Sequence, residues 1–148
     1  ILAVVLDADE ESRRERMDRV QSAAEARLKS ARLEVIVQNR CLETWLLGNR
    51  KVFVRQPQDE NLRRYIAHYD VHTHDPERMP NLGDFTCHAQ FHFAYLRCIF
   101  QERGLSYTKT QPGHAGDKTY FEQLVNRVTE SPKHMESFIH FLHFCESL

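Results

Sequence analysis

The chain opens on an uninterrupted apolar run, Ile1-Leu2-Ala3-Val4-Val5-Leu6, which stops at Asp7-Ala8-Asp9-Glu10. A short run rich in β-branched side chains predicts a buried strand. The period then changes. Met17, Val20, Ala23, Ala24 and Leu28 form one stripe at helical spacing, predicting a helix over 10–30. Glu10 with Arg14, and Glu15 with Arg19, are i,i+4 pairs of the favourable orientation, which marks a solvated outer face. Residues 33–37 read as a second strand. Asn39 then caps a short helix over 40–47 that Gly48 ends, and 51–55 reads as a third extended piece before Pro57.

The second half has a different texture. Leu62, Tyr65, Ile66 and Tyr69 mark a helix starting near Asp59, and 70–84, with Pro76, Pro80 and Gly83, reads as a loop. A strongly apolar helix is predicted over 86–103, stopped by Gly104. An extended piece at 105–110 and a loop at 111–116 follow. Two helices close the chain: one over 118–130, and one opened by Ser131 as cap with Pro132 at its first position. In the last, Met135, Phe138, Ile139, Leu142 and Cys145 make a core stripe.

The order is thus β-α-β-α over 1–56, followed by a mostly helical elaboration over 57–148 packed on the same domain. The fold class is α/β with a parallel sheet. Two or three parallel strands are thin for such a sheet, so a further strand with its crossover helix is expected upstream of Ile1. A chain of 148 residues is one domain's worth, large enough for a real core. Twenty basic residues against 21 acidic ones leave a formal charge of −1, so no global basic field advertises nucleic acid. No apolar stretch approaches the roughly 20 residues that span a bilayer, and no signal-peptide pattern is present. Cys41, Cys87, Cys98 and Cys145 are far apart and form no CxxC, which reads as reduced, buried thiols in a cytoplasmic protein.

Candidate chemistry begins at the first strand's tip. In an extended segment Asp7 and Asp9 point the same way and are placed to share Mg²⁺ or Mn²⁺. An acidic helix start explains Glu10 and Glu11 equally well through the macrodipole, but not Asp7, which belongs to the strand. The second strand leads in the same manner into Asn39-Arg40-Cys41-Leu42-Glu43-Thr44-Trp45-Leu46-Leu47. If the strands are parallel, both acidic segments lie at one carboxyl edge. Glu43 is then either a third acidic ligand or general base beside the metal, or a plain solvent-facing residue near a helix start.

These two stretches resemble the Toprim-like domains of the OLD-nuclease and RloB-like groups of prokaryotic anti-phage defence. The resemblance rests on "VVLDADEESRRER", followed by a strand and "QNRCLETWLL", and covers roughly 1–50. Tyr107-x-Lys109, Tyr120-Phe121 and Ser137-Phe138-x-x-Phe141 add a looser similarity. It implies a Mg²⁺-dependent nuclease, or the metal-binding part of one. Asp7 and Asp9 would be metal ligands and Glu43 a contributing acid. The family's first-strand glutamate would lie before Ile1. The implied partner is nucleic acid, DNA ahead of RNA. Because this chain is nearly neutral, a partner domain or subunit, or another copy of the chain, would supply substrate affinity.

Other groups yield weaker readings. Lys109 and Lys118 flank the 111–116 loop and are candidate backbone-phosphate contacts, with His114, Arg40 and Lys51 as possible additions. Asp70, His72, His74 and Asp75 offer one loop's worth of metal donors, and His134, His140 and His143 suggest a packing or partner face. Strand-DxD also fits a nucleotide-sugar glycosyltransferase. A haloacid-dehalogenase phosphatase or a receiver domain fits it less well, and a non-catalytic helical interaction module remains open. Metal affinity at Asp7 and Asp9 separates that module from the enzymes.

Overall fold

In a computed structural model, which describes residues 1–25, 27–28 and 32–148, the chain is a mixed α/β fold. Strands β1 (Leu2–Asp7) and β2 (Leu33–Gln38) pair in parallel, with Leu2 opposite Leu33 and Asp7 opposite Gln38. Helix α1 (Arg13–Glu25) connects them. Helices α2 (Leu42–Leu46), α3 (Glu60–His68), α4 (His88–Glu102), α5 (Lys118–Glu130) and α6 (Glu136–Glu146) follow. Among the described residues the sheet has two strands.

Strand alternation distributes the two faces. Val35 and Val37 pack with Leu6, Ala8, Met17 and Val20 under α1. Ile36 turns the other way, into the main core with Trp45, Leu46, Tyr95, Phe100, Tyr120 and Phe138. That core takes residues from both sides of position 56, since Val52 and Phe53 join Leu62, Tyr65 and Phe91 in it. Each fully buried aliphatic or aromatic side chain contributes about 1.5–3 kcal/mol. No described helix is long and apolar enough to cross a membrane.

Several boundaries depart from the sequence reading, each for a visible reason. Helix α1 starts at Arg13 because Ser12 and Glu15 form a capping box, with the Glu15 amide donating to Ser12 Oγ at 3.2 Å. Glu10 therefore precedes the helix and pairs with His88 rather than Arg14, while Arg19 pairs with Glu11 at 2.8 Å. Residues 26 and 29–31, on which the end of the expected helix falls, lie outside the described ones. Asn39 is not the cap of α2. Arg40 adopts a left-handed φ of 71°, Cys41 is the N-cap, and Asn39 Nδ2 donates to the Glu77 carbonyl at 2.9 Å. The stretch over 51–55 is no strand. Its carbonyls at Lys51, Val52 and Phe53 accept from the Arg103 guanidinium at 2.8–3.3 Å, which replaces a ladder partner. Residues 105–110 are likewise irregular, with Tyr107 buried on Phe100.

Helix α6 begins four residues later than Ser131 and Pro132 predict. Ser131 closes α5 instead. Two carboxylates from a distant turn cap α6: Asp75 accepts from the Met135 amide at 3.0 Å, and Glu77 accepts from the Ser137 amide at 3.1 Å and from its hydroxyl. Burial pushes the Glu77 carboxyl above its ordinary range, although the Ser137 hydrogen bonds oppose this. The Ser137 Oγ also accepts from Trp45 Nε1 at 2.7 Å and from the Asn39 amide at 3.1 Å. All four cysteines are free thiols. Cys41 is buried, but Cys145 is exposed and does not belong to the core stripe.

Ser137→Ala leaves the Trp45 indole, the Asn39 amide and the Glu77 carboxylate short of a partner in a buried place. We expect a loss of about 3 kcal/mol of unfolding free energy, seen as a midpoint lowered by roughly 10 °C in thermal denaturation.

Candidate functional site

The carboxyl ends of both strands converge on one small pocket of about 280 Å³, lined by Asp7, Gln38, Leu42, Glu43, Tyr107 and Lys109. Parallel pairing puts Asp7 directly beside Gln38, so both project from the sheet face opposite α1. The chain then turns sharply at both strand ends. The Ala8 amide donates to the Gln38 carbonyl at 2.9 Å, and the Asp9 amide donates to the Arg40 carbonyl at 2.9 Å. The Arg40 guanidinium donates back to the Asp9 carbonyl at 3.1 Å. Asp9 itself has a left-handed φ of 55°. Strand alternation therefore stops at Asp7, and the expected same-side placement of Asp7 and Asp9 does not follow from it. The Asp9 carboxylate is largely exposed and lies 3.9 Å from Arg16.

Glu43 is not solvent-facing. It lies on the first turn of α2, 1% exposed, and its Oε1 accepts from the Tyr107 hydroxyl at 3.0 Å. Its Oε2 is 3.9 Å from Lys109 Nζ and has no hydrogen-bond partner among the described residues. The helix that carries it is fastened from below. Thr44 Oγ1 accepts from the Cys41 amide at 3.3 Å and meets His92 Nδ1 of α4 at 2.8 Å. His92 is fully buried, and desolvation lowers its pKa to about 3, so it stands there as a neutral hydrogen-bonding group. Burial likewise pushes the Cys41 thiol up to about 12, which removes it as a nucleophile.

The electrostatics of the pocket are acidic with a cationic rim. Burial raises the Asp7 carboxyl above its ordinary 3.8. The Asp9 and Glu43 carboxylates raise it further, while Lys109 and Arg16 pull it back. Tyr107 is raised too, by burial first and then by the Glu43 charge. The structure thus brings Asp7, Asp9, Glu43 and Lys109 into one electrostatic neighbourhood. Lys118 is not part of it: this residue pairs with Glu122 on its own helix at 3.7 Å and is almost fully solvated. Arg40 is spent on the Asp9 carbonyl, and His114 pairs with Asp117 at 2.9 Å.

Among the described residues no three His, Cys, Asp or Glu side chains converge as a metal cluster. In the 70–75 loop both carboxylates are committed elsewhere. Asp70 accepts from the His72 amide at 2.8 Å and from the Thr73 hydroxyl, while Asp75 caps the 3₁₀ turn at Pro76–Arg78 and α6. His134 meets Arg127 at 3.0 Å, and His140 meets Glu34 at 3.2 Å, so these histidines serve packing. The Asp7 pocket still suits one hard cation in donor chemistry, because Mg²⁺ takes one or two protein carboxylates and keeps several waters. Glu43 Oε2 is buried with no hydrogen-bond partner among the described residues. Leu42, Gln38 and Tyr107 are lining residues that sequence reading does not name as site residues. Tyr107 enters it only through the looser Tyr107-x-Lys109 similarity.

No family model matches the chain, and no curated protein or solved structure gives a significant match.

A raised carboxyl stabilises the folded state below its ordinary pKa, and that contribution is lost as the pH rises through the folded value. Asp7→Asn is therefore expected to raise the melting temperature at pH 7. The gain should vanish below about pH 3.5, where the wild-type carboxyl is protonated in both states. A pH series of melting curves on the two proteins checks this.

Proposed function

We propose that this chain carries a Toprim-like, divalent-metal-dependent site for phosphodiester cleavage, acting on nucleic acid and on DNA ahead of RNA. The observation that supports the reading most directly is the pairing of Asp7 at the tip of β1 with the buried, half-partnered Glu43 in one pocket. A solvated acidic helix start has no reason to bury a glutamate to 1% exposure beside a second carboxylate. Burial of that kind costs stability, and buried, incompletely paired carboxylates cluster at functional sites.

In this reading Asp7 and Glu43, with Asp9 alongside, would hold Mg²⁺ or Mn²⁺. The cation would supply charge neutralisation at the scissile phosphate. The rest is done by the chain's own groups. Tyr107 fixes the Glu43 carboxylate through its hydroxyl at 3.0 Å, which leaves the other oxygen without a hydrogen-bond partner among the described residues. Lys109, whose side chain is 63% exposed at the rim, offers its ammonium to a non-bridging phosphate oxygen. Without a cation that ammonium is also the only counter-charge within 4.0 Å of Glu43 among the described residues. Burial, and then the Asp9 and Glu43 charges, raise the Asp7 carboxyl, so cation binding and proton release at Asp7 are coupled.

Calorimetric titration of Mn²⁺ should show binding to the wild type that is lost in Asp7→Ala and weakened in Asp9→Ala. Glu43→Gln is expected to lower Mg²⁺-dependent plasmid nicking by about 100-fold or more. Lys109→Ala should act on substrate affinity and leave Mn²⁺ binding intact. Metal binding that survives Asp7→Ala unchanged would sink the reading.

A further inference from the structure

A cavity of about 520 Å³ lies elsewhere and shares no lining residue with the Asp7 pocket. Its walls carry Arg50, Lys51, His72, Asn126, Arg127 and Glu130. Arg127 is the unusual member. It is 1% exposed, and it makes no ion pair with a carboxylate among the described residues. Its guanidinium is held by neutral acceptors: the Val71 carbonyl at 2.9 Å, the His74 carbonyl at 2.8 Å and His134 Nδ1 at 3.0 Å. Its Nε is buried with no hydrogen-bond partner among the described residues. Asp75, Asp70 and Glu130 act on this guanidinium only from beyond ion-pair distance, so at that depth it stays costly, and an anion in the adjoining space relieves the cost. Desolvation and then Arg50 bring its pKa down to about 10, which still leaves it charged at neutral pH.

The surroundings reinforce the sign. Arg50 is oriented by three bonds: Nε to the His72 carbonyl at 2.9 Å, Nη1 to Glu130 at 3.0 Å and Nη2 to Ser131 Oγ at 3.1 Å. Lys51 has no ion pair among the described residues, and with Arg50 it continues into a second hollow bordered by Arg55 and Arg103. Burial, and then Arg55, hold the His72 imidazole below its usual range. Arg50 and Arg127 add to that, against Asp70. Three cations and one carboxylate on the cavity wall leave a surplus of two positive charges. A phosphate monoester carries about that charge at neutral pH, whereas a phosphodiester carries one.

We propose that this cavity binds a small phosphate monoester. Its phosphate lies between Arg50, Lys51 and the buried Arg127, and the remainder of the ester fills the space beside Asn126. The volume is too large for inorganic phosphate alone and falls within the range of small-ligand sites. Glu130 is the built-in competitor: by holding Arg50 it occupies one of the donors that the phosphate would use. The site is independent of the metal-site reading.

The test is calorimetry on the full chain in EDTA, which silences any divalent-cation contribution. The probes are inorganic phosphate, ribose 5-phosphate, adenosine 5′-monophosphate, adenosine and a 5′-phosphorylated oligonucleotide. At least one of the two small esters should bind more tightly than inorganic phosphate, with adenosine silent. Lys51→Gln should weaken that binding about tenfold, and Glu130→Gln should strengthen it several-fold by freeing Arg50. Both changes are on exposed side chains and leave the fold intact, unlike Arg127→Ala. The proposal is overturned if adenosine binds as well as its monophosphate. It is equally overturned if inorganic phosphate matches both esters, if only the oligonucleotide binds, if nothing binds at millimolar concentration, or if neither variant shifts the affinity.

Discussion

The Ser137 hydroxyl is the joint on which the arrangement depends. It accepts from the Trp45 indole and the Asn39 amide and donates to Glu77. Those three partners belong to α2, to the exit of β2 and to the turn at 75–79, so one oxygen ties the sheet to the helical half. Its position is fixed because it sits on the first turn of α6, whose free amides are taken by Asp75 and Glu77. Buried polar networks of this kind specify geometry because each unmade bond costs the full desolvation of its group. The consequence reaches the candidate site: with Trp45 and Asn39 held, α2 has one orientation, and Glu43 on its first turn can face only the tip of β1.

The pocket is built against local preference. Asp9 and Arg40 both occupy left-handed backbone, a conformation that costs a non-glycine residue of order 1 kcal/mol or more. The Asp9 amide on the Arg40 carbonyl and the Arg40 guanidinium on the Asp9 carbonyl hold it. Glu43 is buried beside a second acid, with a tyrosine and a lysine compensating in part. Local strain, a buried carboxylate and a raised neighbouring pKa together mark a place where stability has been given up, and such places cluster at functional sites.

The molecule also separates its charges. Acids gather at the carboxyl edge of the sheet, while guanidiniums gather around the 50–55 segment and the start of the 71–74 turn. A formal net charge of −1 conceals both. Net charge describes the far field; a cavity responds to the few groups on its walls and to how deeply they are buried.

Hydrophobic periodicity alone determined the two strands, the helices α3, α4 and α5, the parallel β-α-β order and the position of Asp7 at a strand tip. Those features are set by nearest-neighbour spacing, which a sequence displays directly. What depended on partners distant in the chain was not legible. The start of α6 is decided by carboxylates 60 residues away, and the 51–55 segment loses its strand to the Arg103 side chain. The burial of Glu43 rests on Tyr107, 64 residues further on. Arg127 reads in sequence as an ordinary charge on an amphipathic helix, and only packing shows it buried with no carboxylate in ion-pair contact among the described residues. Local pattern encodes which face a residue presents. Whether that face meets solvent, a hydrogen-bond partner or an empty cavity is settled when the elements close on one another.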